Sequence, residues 1–205
     1  LGKELGAFAY PVTMDLDDSE SVQQGLQSLP KDRCEVDILV NNAGHAIGGQ
    51  RSFEKGSLSD WERIIETNVR GMLRVTHALL PGMVERDRGH IINLGSTASL
   101  ERYESEAVYI ASKHAVHGFS EGLRADLEST GIRVTEVLPG SVRTGFHRTR
   151  FRGDETSMEA FSGKFPGSVA PEDVARVIII ALDQPLSVSL DQVVVARTRR
   201  PGLAS

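Results

Sequence analysis

The sequence predicts an α/β fold, a parallel sheet wrapped by helices. Short apolar segments alternate with amphipathic ones along the chain. The apolar segments read as short hydrophobic strands buried on both faces. They lead into polar or turn-forming residues, namely Asp15, Asn42 to Gly44, Ser96 and Pro139-Gly140. In parallel sheets of this class, ligands bind outside the carboxyl ends of the strands.

Residues 7–14 read as a short strand with Pro11 at an irregular or edge position, and Asp15 to Ser19 as a turn. Val22, Leu26 and Leu29 recur at helical spacing over 19–29, and Pro30 closes that helix. Residues 36–40 form a compact strand that runs into Asn41-Asn42-Ala43-Gly44, followed by a glycine-rich loop over 45–57. Ser59-Asp60-Trp61-Glu62 reads as a capping box opening a helix to about Leu80, with Pro81 ending or kinking it. Trp61, Ile64, Ile65, Met72, Val75, Thr76 and Leu79 make its apolar stripe. Asn68 lies on that stripe and needs partners if buried. Residues 90–95 are the next strand, ending at Ser96. A helix follows with Ala115, Val116, Phe119, Leu123 and Leu127 on its apolar face and Gly131 as C-terminal cap. Residues 132–138 are a strand, 143–169 a long loop or lid, Pro171 starts another helix, and 191–196 are the last strand.

The length, 205 residues, suits one domain over 1–205 with a full core. A net charge of −5 argues against nucleic acid or an anionic membrane as main partner. The single cysteine, Cys34, excludes an intrachain disulfide framework and fits a reducing, cytoplasmic setting. No apolar run reaches the ~18 residues of a membrane span. The six histidines show no metal-ligand spacing with Cys or carboxylates, so no metal site is expected.

Chemistry centres on Tyr109 and Lys113. Four residues apart in a helix, they share one face. An ammonium beside a phenol favours the phenolate and makes Tyr109 a candidate general acid/base. Alone, such a pair is more often an aromatic on the core and a solvated lysine. Ser96 at the preceding strand end could hydrogen-bond a carbonyl or alcohol oxygen held by the tyrosine.

Asn41-Asn42-Ala43-Gly44, Asn68, Ser96, Tyr109-x-x-x-Lys113 and Pro139-Gly140-Ser141-Val142-Arg143-Thr144 stand in the order and spacing of the classical short-chain dehydrogenase/reductases, which the chain resembles over nearly its whole length. Leu80 to Arg86, Gly89 to Ala98 and Arg150-Phe151-Arg152-Gly153-Asp154 are similar to the NADP-dependent serine/3-hydroxy acid dehydrogenase branch. The resemblance implies a Rossmann-like doubly wound sheet and an oxidoreductase acting on a small hydroxy acid or amino-alcohol. NADP is the implied cofactor, with NAD the alternative. Tyr109 would be the acid/base, Lys113 its partner at the nicotinamide ribose, Ser96 the residue orienting substrate, and Asn68 the holder of a relay water. Asp15 and Leu16 would lie at the adenine, Asn42, Ala43 and Gly44 under the adenosine ribose, and Pro139, Gly140, Val142 and Thr144 over the nicotinamide. A homotetramer or homodimer is also implied. A catalytically silent scaffold subunit and an epimerase or dehydratase of the same fold are the competing functions.

The sequence departs from that family before residue 7, where its first strand, glycine-rich phosphate loop and second strand do not appear. The glycine loop is what binds pyrophosphate. The sequence is therefore expected to be part of a longer chain, lacking at least the ~30 residues of a βαβ unit. The strands at 7–14 and 36–40 are expected not to pair directly. The charged loop Leu100 to Ala107, with Glu101, Arg102, Glu104 and Glu106, is expected near the substrate mouth.

Overall fold

The structure is a computed structural model that describes residues 9–164 and 168–198. Four strands, β1 (Ile38–Asn41), β2 (Gly89–Leu94), β3 (Ile132–Pro139) and β4 (Gln192–Val195), form one parallel sheet in the order β1-β2-β3-β4. Ile38 pairs with His90, Ile91 with Val134, and Val137 with Val193. Helices α1 (Ser19–Gln27), α2 (Leu58–Ile65), α3 (Met72–Glu85), α4 (Ala107–Asp126), α5 (Phe146–Arg150), α6 (Glu155–Lys164) and α7 (Pro171–Leu182) complete the described elements. No described helix is long and apolar enough to cross a membrane.

The alternation of β3 assigns the helices to two faces. Ile132 and Val134 join Leu39 and Ile91 against Val22 of α1, Val75 and Met83 of α3, and Leu123 of α4. Val137 and Ile92 pack the other way, against Val174 of α7. Both faces of the central strands are thus buried, polar residues His90, Asn93, Thr135 and Glu136 included.

Several elements differ from the sequence expectation. Residues 9–14, within the predicted first strand, form no strand; residues 7 and 8 lie outside the described residues. A strand needs a ladder partner, and none of the described strands pairs with this segment. The outer edge of β1 likewise has no partner among the described residues, and Ile38 and Val40 are 50% and 40% exposed. Helix α2 begins at Leu58 behind Ser57, so Ser59 is inside the helix and no capping box forms. The helix predicted through Leu80 passes through a π-helical turn at Glu66–Gly71 and runs past Pro81 to Glu85. Met83, fully buried beneath Gly89, anchors the turn beyond the proline. Gly131 is not a left-handed cap; an added Cβ would strike the Asp87 carbonyl, so close approach explains the glycine. On α4, Ala115 is exposed, and Ser112 and Ser120 are buried instead. Their hydroxyls bond back to the Tyr109 and Val116 carbonyls at 2.7 and 2.8 Å, which makes burial affordable.

Candidate active site

A cavity of about 600 Å³ opens at the carboxyl ends of the strands. Gly44 follows β1, Ser96 follows β2, Gly140 follows β3, and all three line it together with Tyr109 and Lys113 of α4. Asn42, Pro139, Val142 and Thr144 complete the predicted residues on its wall. Asp15, Leu16, Ala43 and Asn68 stand off that wall.

Ser96 starts a single 3-10 turn, its Oγ accepting the Ala98 N–H at 3.1 Å. This fixes the hydroxyl at the cavity wall that Tyr109 also lines. Lys113 is only 7% exposed and donates from Nζ to the Leu94 carbonyl at 2.8 Å, on the last residue of β2. Burial depresses its ammonium to about 8. Tyr109 moves the opposite way from the sequence expectation. Burial raises its phenol, the Ser96 hydroxyl and the Arg150 guanidinium oppose the rise, and Glu106 adds to it. The Lys113 Nζ lies 5.9 Å from the ring centroid, directed to Leu94 rather than to the hydroxyl.

Asn68 occupies the π-helical turn, whose wider ring points its side chain inward. Its Oδ1 accepts the His45 N–H at 2.8 Å, and its amide donates to the His45 carbonyl at 2.9 Å and to Ser112 Oγ at 3.1 Å. Asn68 therefore clamps the loop after β1. Gly44 lies directly above the clamp: a Cβ there would come within 3.0 Å of Asn68 Oδ1 and 3.8 Å of Lys113 Nζ.

Asp15 and Leu16 form a separate turn. Asp15 Oδ1 accepts the Asp17 N–H, and the Leu16 carbonyl accepts from Arg74 at 2.7 Å. Asp17 accepts from Thr67, which also bonds the His45 ring at 3.0 Å, so this turn is tied to the clamped loop.

Among the cavity residues that the sequence did not single out one by one are Phe146, His147, Arg150 and Phe161. Glu106 was placed only generally, near the substrate mouth. Arg150 and Glu106 form a buried bidentate pair at 2.9 and 3.1 Å, and the guanidinium stands 5.4 Å from the Tyr109 ring centroid. The predicted loop 143–169 instead contains α5 and α6, held by ring contacts Tyr109–Phe146, His147–Phe161 and Phe151–Phe161. The signal available was Phe146 and Arg150 at helical spacing, in a segment otherwise weakly periodic. Among the described residues no cluster of His, Cys, Asp and Glu could hold a metal ion.

The short chain dehydrogenase family model matches residues 1–155. The NADP-dependent 3-hydroxy acid dehydrogenase of Escherichia coli O157:H7 is 42% identical over 194 residues, covering 93% of this chain and 77% of that protein. Sulfoacetaldehyde reductase 2 of Chromohalobacter salexigens is 38% identical over 192 residues, covering 93% and 75%. Among solved structures, the closed form of a serine dehydrogenase complexed with NADP+ superposes with a TM-score of 0.93 at 39% identity, over 100% of this chain and 83% of that one.

Proposed function

The chain belongs to the short chain dehydrogenase family, and on that footing we propose that it interconverts a small hydroxy acid or amino-alcohol and its carbonyl form with NADP(H). The meeting of Ser96, Tyr109 and Lys113 on one cavity wall carries this reading. The names of the relatives support it, since each compared protein is a dehydrogenase or a reductase.

The residues fit a nicotinamide cofactor. Gly44 leaves an open cradle between Asn68 and Lys113, where a side chain would intrude. Lys113 supplies a buried ammonium on the same wall. Asn42, Ala43 and Gly44 would flank the adenosine ribose, Pro139, Gly140, Val142 and Thr144 the nicotinamide, and Asp15 with Leu16 the adenine. When bound, the cofactor supplies or accepts the hydride.

The protein's own work is to hold the substrate oxygen and move one proton. Ser96 Oγ and the Tyr109 hydroxyl bind the carbonyl oxygen from one side. In reduction, Tyr109 donates its proton as negative charge develops on that oxygen. Its raised pKa keeps the phenol protonated at neutral pH, the form needed for donation. The Lys113 ammonium stabilises the phenolate left behind. Asn68 acts through the loop it clamps and is the candidate holder of a relay water. Arg150 stands beside the ring with its guanidinium paired to Glu106, so the pair shapes the cavity wall and holds it in place.

The same reading includes a cytoplasmic homotetramer or homodimer. The assembly would use the outer face of α4, where a Cβ at Gly118 or Gly122 would meet open space.

Tyr109→Phe tests the assignment. It is expected to lower NADPH oxidation against a panel of short keto acids and sulfonated aldehydes by at least a thousandfold, while NADPH binding by fluorescence stays within about twofold. Retained turnover would overturn the mechanism.

A further inference from the structure

Glu136 is an anomaly in β3. It is 0% exposed, between Val134 and Val137–Leu138, which are equally buried. A lone buried carboxylate is costly unless compensated. Its Oε2 meets His117 Nδ1 at 2.7 Å and accepts from Gln192 Nε2 at 3.1 Å. Its Oε1 has no hydrogen-bond partner. That free oxygen rests against Gly95, where an added Cβ would stand 2.5 Å away. Gly95 directly follows Leu94, whose carbonyl takes the Lys113 ammonium.

We propose that Glu136 is a positioning residue: its buried carboxylate holds Lys113 in the charged form, with His117 as the link from that carboxylate to solvent. The proposal rests on the reading of Tyr109 and Lys113 as the proton-handling pair. Tyr109, Lys113, His117 and Glu121 fall four residues apart on α4, forming one stripe from cavity to solvent. His117 Nε2 lies 3.6 Å from the exposed Glu121 carboxylate. Arg124, one turn on, spends its guanidinium on the Val134 and Asp191 carbonyls. From β4 Gln192 faces the carboxylate, while the Asp191 side chain accepts from Ser189. From β2 the neighbour is neutral Asn93, whose amide goes to Ser120. The Lys113 ammonium at Leu94 and the Glu136 Oε1 at Gly95 thus meet adjacent residues of one strand end, close enough for the carboxylate charge to act on the ammonium. Burial lowers its ammonium and the charge of Glu136 opposes that fall.

The protein has five lysines, so carbon-13 lysine NMR resolves each side chain, with Lys113→Met used for assignment. In the wild type, without substrate or cofactor, Lys113 should titrate near 8. Glu136→Gln, and Glu136→Met as an apolar replacement that avoids an unpaired amide, should each lower that midpoint by about one unit, a tenfold loss of charged lysine above it. In turnover, Glu136→Gln should cost about fivefold in kcat at pH 8, with little change in KM, and the deficit should close toward pH 6. Packing damage would not be repaired by acid. A Lys113 midpoint unchanged in both folded variants overturns the proposal. Because the titration needs no turnover, it stands or falls separately from the Tyr109→Phe result.

Discussion

His90 shows at one residue how burial converts titration into stability. The ring is buried in β2, with Nε2 2.8 Å from Thr135 Oγ1 and Nδ1 without a partner. Burial, and then the neighbouring Arg133 cation, hold it down to about 4. An unfolded histidine titrates near 6.5. Between those values the unfolded chain binds a proton that the folded chain refuses, so stability rises with pH across the window. The contribution is complete above about 6.5 and is lost as pH falls through 4; its size is about 3 kcal/mol. Urea unfolding between pH 4 and 7 should show that slope, and His90→Gln should flatten it. An unchanged slope would assign the acid lability elsewhere. Of the candidate site, the residues legible in sequence were those whose own type and spacing carry the chemistry: Tyr109, Lys113, Ser96 and the clustered Gly44 and Gly140. The partners that set their charge were not legible. Arg150 lies 44 positions beyond Glu106, and no local pattern links the two.

At the scale of elements, alternation of period settled most of the fold. The strands at 38–41, 89–94, 132–139 and 192–195 fall within one or two residues of expectation, since short segments rich in β-branched and apolar residues bounded by turn residues mark them. What failed has physical causes. A strand over residues 9–14 needs a ladder that propensity cannot supply. The order in 146–164 comes from rings and ion pairs with other parts of the chain, which periodicity does not see. The π-helical turn is the element with the clearest consequence. It aims Asn68 at both backbone groups of His45. Asn68→Asp is nearly isosteric but replaces the donor toward the His45 carbonyl by a second acceptor. It should cost about 2–3 kcal/mol and speed amide exchange at His45 at least tenfold. Exchange rates equal to wild type would mean that the loop after β1 is held by something other than the clamp.

Across the whole molecule, two ion pairs fasten the segment after β3 over the cavity. Arg150 reaches Glu106 at the start of α4, and Arg152 reaches Asp60 in α2 at 2.5 Å. They differ in kind. Arg152 is 62% exposed at its side chain and sits at a φ of 51°, a left-handed backbone that its partner helps to hold. Solvent screens that pair. Arg150 and Glu106 are both nearly sealed, with Gln50 giving Glu106 a further donor at 2.9 Å. Breaking a buried pair from one side strands a charge, whereas removing both partners strands none. Glu106→Met and Arg150→Met should therefore each cost about 3 kcal/mol in urea unfolding, and the double variant should cost much less than their sum. Limited proteolysis over 146–164 should accelerate in both single variants, because the segment that roofs the cavity loses its tie to α4. If the two costs simply add, the pair is not coupled, and the roof is held by the Arg152–Asp60 pair and the aromatic contacts instead.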